Sequence, residues 1–149
     1  MKKLIFNALK VLSVCAMLGV LILSAQIRHT IIANVPFDFT ALDQHLSAGT
    51  YTFTSDSPQG TILIHGEQGG AAAFVLGLPV QANKIQEDAK LVFHRYGDQY
   101  FLSKIWYPWT DQGRELRVSK VEEQIARNMP KPEETTLLVA GSKQQKPVR

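Results

Sequence analysis

From Ile27 to Phe39 the chain alternates with a period of two. Ile27, His29, Ile31, Ala33, Val35, Phe37 and Phe39 hold the odd positions. Arg28, Thr30, Asn34, Pro36 and Asp38 hold the even ones, with Ile32 the exception. Only an extended strand turns successive side chains to opposite faces, so this segment puts one face on a core and the other toward water. Pro36 cannot donate to a ladder and marks an edge or a break between two short strands.

Strand chemistry recurs along the chain. Leu46-Ser47-Ala48-Gly49 reads as a turn. Behind it, Thr50-Tyr51-Thr52-Phe53-Thr54 places two rings on one face and three threonines on the other. Ser57-Pro58-Gln59-Gly60 is turn material, followed by the strand Thr61-Ile62-Leu63-Ile64-His65. Gly66-Glu67-Gln68-Gly69-Gly70 closes that strand, and an apolar run from Ala71 to Leu78 ends near Pro79. A glycine-rich turn that cradles phosphate needs a helix N-terminus after it, and the residues here are β-like. It is therefore expected to be a hairpin turn.

The segments Lys90–Tyr96 and Gln99–Tyr107 flank Gly97-Asp98. A two-residue loop with glycine first suits a type II′ turn. That register sets Phe93 opposite Leu102 and His94 opposite Phe101, with apolar groups on both faces, so both faces are expected to be covered. Ser119 and Glu122 form a capping-box pattern, with Val121, Ile125 and Met129 as a one-sided helical stripe that Asn128 and Pro130 end. Thr136–Ala140 is a last strand, and 141–149 is expected to be a disordered tail. No internal repeat interrupts a single domain over 26–140.

The first 25 residues have another character. Lys2 and Lys3, an apolar run from Val11 to Leu23, and the small pair Ser24-Ala25 form the three-part signature of a secretory signal peptide. The run is short for a span, which takes roughly 20 apolar residues. Cleavage is expected after Ala25, with an uncleaved anchor as the alternative. Cys15, the single cysteine, lies in this leader behind Val14 rather than a small residue, which argues against a lipid-modified cysteine. The exported chain then has no disulfide, no thiolate ligand and no thiol nucleophile. Lys2, Lys3 and Lys10 account for the whole net charge of +3, leaving 13 basic residues against 13 acidic. Nucleic-acid binding, which rests on an excess of cations, is thereby disfavoured.

Several pieces resemble a family of short exported acidobacterial proteins of unknown function. They are Val35-Pro36-Phe37-Asp38-Phe39, Leu46 to Tyr51, Lys90 to Leu102, and Gly113-Arg114-Glu115-Leu116. Members commonly have Leu-Pro-Ala-Gly where this chain has Leu46-Ser47-Ala48-Gly49. The resemblance implies one compact exported β domain and carries no activity.

The chemistry-bearing residues form no catalytic motif. His29, His45, His65 and His94 lack metal-ligand spacing, so no metal and no cofactor is expected. His29 and His94 fall among apolar strand positions and read as hydrogen-bonded structural imidazoles. No nucleophile elbow, P-loop or dinucleotide fingerprint is present. Asp38, Asp56, Glu67, Asp98, Asp111 and Glu115 could supply a carboxylate pair, but most fall in turns or on wet strand faces.

The segment Trp106-Tyr107-Pro108-Trp109, with Asp111, Gln112 and Arg114 behind it, is the candidate binding surface. Rings and arginine are the usual anchors of interfaces, although the same rings could fill the core. The sequence therefore predicts an all-β single domain, a sandwich or flattened barrel of about seven to eight strands. One short helix lies in the C-terminal half, and a signal peptide precedes the domain. The expected role is a non-enzymatic binding or structural module of the cell envelope or extracellular space. Its partner would be an envelope glycan or protein, with no stable membrane span after cleavage. The alternatives are a secreted polysaccharide hydrolase using paired carboxylates and a barrel carrying a small apolar ligand.

Overall fold

Ile31, Ala33 and Val35 are buried and their even-numbered neighbours Ile32 and Asn34 exposed, as the alternation requires. The computed structural model describes residues 28–56, 60–67, 72–129 and 131–139. The expected leader and tail lie outside them, as do residues 57–59 and 68–71, in or beside turns expected from the sequence.

Ten strands and one helix follow in order. They are β1 (Arg28–Val35), β2 (Phe39–Ala41), β3 (Gln44–Leu46), β4 (Gly49–Asp56), β5 (Thr61–Gly66), β6 (Ala72–Gln86), β7 (Ala89–Tyr96), β8 (Gln99–Trp106), β9 (Thr110–Leu116), α1 (Lys120–Asn128) and β10 (Glu133–Val139). One sheet contains all ten strands. Its path runs β1-β4-β5-β6-β9-β8, and from β8 it continues to β7 and β10 and also to the short pair β2-β3.

Two expectations are corrected here. The strands outnumber the expected seven to eight, and the sheet is not closed into a barrel. β1 and β10 approach each other, yet among the described residues no ladder joins them. The count rises because β2 and β3, three residues each, are too short to show a period. β6 also runs on to Gln86 instead of ending near Pro79. Pro79 is exposed and lies opposite Arg114 in the β6–β9 ladder. A proline is tolerated in a strand where no ladder donor is needed from it.

The sheet doubles back so that its early strands pack against its later ones. Phe39, Phe53 and Phe93 are fully buried, each contributing roughly 1.5–3 kcal/mol by leaving water. Phe39 meets Tyr51 and Phe93 edge-on at 5.3 and 5.6 Å, and Phe37 stacks on Tyr100 at 4.0 Å. Phe39 thereby ties β2 to β4 and to β7. The turn before β4 is pinned as well. The Ala48 N–H donates to Asp38 Oδ1 at 2.7 Å, and the Tyr51 hydroxyl donates to the Ser47 carbonyl at 2.7 Å.

The β7–β8 hairpin has the expected register, with Phe93 opposite Leu102 and His94 opposite Phe101. Gly97 has φ 63°, and Asp98 does not share the positive sign, as a type II′ turn requires. Both faces are covered near the turn. Phe93 and Leu102 face the core, while Tyr96 and Phe101 pair edge-on at 5.9 Å on the other side, where α1 packs.

Ser119 caps α1, its hydroxyl accepting from the Glu122 N–H at 3.1 Å. The buried face differs from the expected stripe: Val121 and Met129 are 50% and 52% exposed, and Ile125 is half-buried. Glu122, 4% exposed, faces the sheet instead. His94 Nδ1 stands 2.7 Å from Glu122 Oε1, and the Tyr96 hydroxyl reaches the same oxygen at 3.5 Å. A buried carboxylate is tolerated where such partners replace its water. The Glu122 side chain is thus turned to the sheet and does not close the second half of a capping box.

Candidate functional site

The end of β8 and the start of β9 are joined by Tyr107, Pro108 and Trp109. The Tyr107 N–H donates to the Gln112 carbonyl at 3.3 Å, and the Trp109 N–H donates to the Gln86 carbonyl at 2.6 Å. Pro108 suits the first central position of the turn. Trp109 takes the second, with φ 60°, where glycine is usual. This non-glycine residue is held in the left-handed region and is 68% exposed.

The turn sends its aromatic residues in different directions. Tyr107 is 3% exposed, and its ring stacks on His29 from β1, centroids 4.5 Å apart. Trp106 lies over Gly113, its partner in the β8–β9 ladder. A β-carbon on Gly113 would stand 2.5 Å from the Trp106 ring. Trp106 also borders a shallow groove of about 490 Å³ with Lys90, Val92 and Leu138. The candidate residues therefore do not form one patch. Trp106 faces this groove, and Trp109 projects from the turn. Asp111 accepts a hydrogen bond from Gln81 Nε2 at 2.6 Å.

Tyr107, Gln112 and Arg114 do come together. With His29, Pro79 and Gln81 they line a cleft of about 510 Å³, completed by Val80 and Gly113. β6 and β9 supply one wall, Gln81 standing opposite Gln112 and Pro79 opposite Arg114. β1 supplies His29 on the other. Gly77 makes room for the arginine, since a β-carbon there would stand 2.9 Å from Arg114 Cβ, while Arg114 Nη1 lies at ordinary contact range of Gly60, 3.9 Å from where a β-carbon would be. Its stem thus lies close against β6.

Arg114 is half-buried and makes no ion pair among the described residues. Burial, and then the Arg114 charge, hold the His29 pKa below its ordinary 6.5, so this imidazole is neutral at pH 7. Contrary to expectation, His29 makes no hydrogen bond among the described residues, whereas His94 does. Tyr107 is also perturbed. Burial raises its pKa above 10.0, while Ser55 and Arg114 pull it the other way. Its hydroxyl is buried without a hydrogen bond of ordinary geometry, so Ser55 and Arg114 lie near it without being well aligned. The cleft thus presents a cation, a neutral imidazole and two amide side chains beside a small apolar surface.

Three of the candidate carboxylates are engaged elsewhere: Asp38 with Ala48, Asp111 with Gln81, and Glu115 with Lys104 at 3.5 Å. Among the described residues no three His, Cys, Asp or Glu side chains form a metal-holding group. None of the described helices is long and apolar enough to cross a membrane. Comparison with protein-family models, with curated proteins and with solved structures finds no match to this chain.

Proposed function

We propose that the protein is an exported, non-enzymatic binding module of the cell envelope or extracellular space, and that its ligand enters the cleft between β1 and the β6–β9 ladder. The observation that carries this reading is Arg114, half-buried at that cleft with no carboxylate partner among the described residues. A partly buried guanidinium with no carboxylate partner can take its counter-charge from a ligand, and such charge-assisted bonds are stronger than neutral ones. The cleft also has the size and mixed lining of small-molecule sites, which run to about 300–1,000 Å³. The engaged state of Asp38, Asp111 and Glu115 favours binding over hydrolysis by paired carboxylates.

The test is to expose the purified protein to envelope saccharides and to follow backbone amide resonances. Saturable shifts centred on Gln81, Gln112 and Gly113 are expected. Shifts confined to the Trp106 groove would move the site, and turnover of any saccharide would overturn the non-enzymatic reading.

A further inference from the structure

We infer that the cleft recognises a carboxylate-bearing sugar, a uronic acid or a short saccharide ending in one, with Arg114 holding the carboxylate. This rests on the proposed binding role and adds the chemical class of the ligand. Four features of the cleft converge on it.

The first is the cation. Arg114 presents a planar fork of donors that matches a carboxylate with two parallel bonds. Its stem runs close to Gly77, and its guanidinium reaches toward Gly60. Of the two acids in β9, Asp111 is bound by Gln81 and Glu115 is paired with Lys104. The guanidinium lies near the Tyr107 hydroxyl but has no carboxylate partner among the described residues, so it can take an anion from outside.

The second is the amide pair. Gln81 and Gln112 lie opposite each other across the β6–β9 ladder and line the same cleft. The Gln112 side chain has no hydrogen bond among the described residues, and Gln81, having given an N–H to Asp111, keeps its carbonyl oxygen. Amides both donate and accept, which is what vicinal hydroxyls ask of a site.

The third is the imidazole. His29 carries no hydrogen bond among the described residues and offers one donor and one acceptor in its neutral form. The fourth is the small apolar surface of Pro79 and Val80, sized for the C–H face of one sugar ring rather than for a hydrocarbon chain. A volume of about 510 Å³ has room for one or two such rings.

The test compares sodium glucuronate, glucose and inorganic phosphate as probes of the purified protein, read on the amides of Gln81, Gln112 and Gly113. Glucuronate is expected to shift them saturably, with little response to glucose. Arg114→Gln is expected to weaken glucuronate binding about tenfold or more, the loss typical of a charge-assisted bond. Arg114→Lys, which keeps the charge and loses the fork, should fall between the two. If Arg114→Gln does not fold, Arg114→Lys and the weakening of wild-type binding by added salt carry the test.

Equal response to glucose and glucuronate would overturn the carboxylate assignment while leaving the binding module standing. Phosphate bound as tightly as glucuronate would likewise overturn it, in favour of a plain anion site. Silence of the cleft toward all saccharides would remove both readings.

Discussion

The imidazole of His29 lies on the phenol of Tyr107 with the two planes 20° from parallel. This contact joins the beginning of β1 to the end of β8, elements that share no ladder. It also sets one wall of the cleft, since both rings line it. Aromatic pairs of this kind contribute about 0.5–1.5 kcal/mol beyond the area they bury.

Tyr107 separates ring from hydroxyl. Tyr107→Phe keeps the stack and removes a buried oxygen that lacks a well-formed hydrogen bond. Its unfolding midpoint is expected to equal or exceed the wild type. A loss of about 1 kcal/mol or more would show that Ser55 or Arg114 bonds the hydroxyl in solution. Tyr107→Ala should cost about 3–5 kcal/mol, as truncating a buried ring does.

Acid should act through His29. Its folded pKa lies below the ordinary 6.5, so the unfolded chain takes up the proton first as pH falls. Stability from this group is therefore full above about pH 6.5 and declines as pH drops through the lower folded value. Comparing urea midpoints at pH 7.5 and 5.5, His29→Asn should lose less stability than wild type. The same proton should strengthen glucuronate binding, because it adds a charge beside Arg114. Burial and then the Arg114 charge stand behind the His29 shift, Tyr107 is the other ionisable group at the cleft, and Asp111 is engaged with Gln81.

The helix should respond more to Glu122 than to its cap. Ser119→Ala is expected to cost about 1 kcal/mol. Glu122→Ala strands His94 and Tyr96 and should cost about 1.5–3 kcal/mol, the range for bonds to a charged group. Val121→Ala, on the exposed face, should be nearly neutral. Chemical denaturation of the three variants decides the order.

Gly113 is a packing requirement rather than a hinge. A β-carbon there would stand 2.5 Å from Trp106 Cε3 and 2.8 Å from the Ile105 carbonyl oxygen. Gly113→Ala is expected to cost about 1–3 kcal/mol and to shift the Trp106 indole resonance.

Trp109 should behave in the opposite way. Its ring is exposed and its backbone sits in the left-handed region, so Trp109→Gly should stabilise the fold by about 1 kcal/mol. Acrylamide should quench one tryptophan far more readily than the other, and the accessible signal should vanish in Trp109→Phe.

Much of the scaffold was readable from the residues. The alternation at Ile31, Ala33 and Val35, the Gly97-Asp98 turn with its register, and the Ser119 cap are local patterns with local causes. The helix face was misread because Val121 and Met129 look like a stripe, while the side chain that turns inward is a glutamate. Its partners His94 and Tyr96 lie on another element, beyond what helical period can reveal. The cleft was half legible. Tyr107, Gln112 and Arg114 stood in one suggestive stretch, but His29 and Gln81 reach it only through the strand order. A signal for Gln81 existed in the polar run after Pro79, which carries no assignment once the apolar run is ended near that proline.

β8 has β7 along one edge, while β9 and, at the single bridge from Thr40 to Phe101, β2 also pair with it. β2 leaves the chain early and joins β8 in parallel, so its place exists only after the β7–β8 hairpin has formed. Pairings between such distant segments must bear loop-closure entropy before any contact rewards them, and proteins rich in them fold in milliseconds to seconds. The segment from Phe37 to Leu46, rings included, should therefore be among the last to gain protection during refolding. Until then Phe39 and Phe93 remain open to water and to other chains, which makes this interval the one in which a chaperone would matter most.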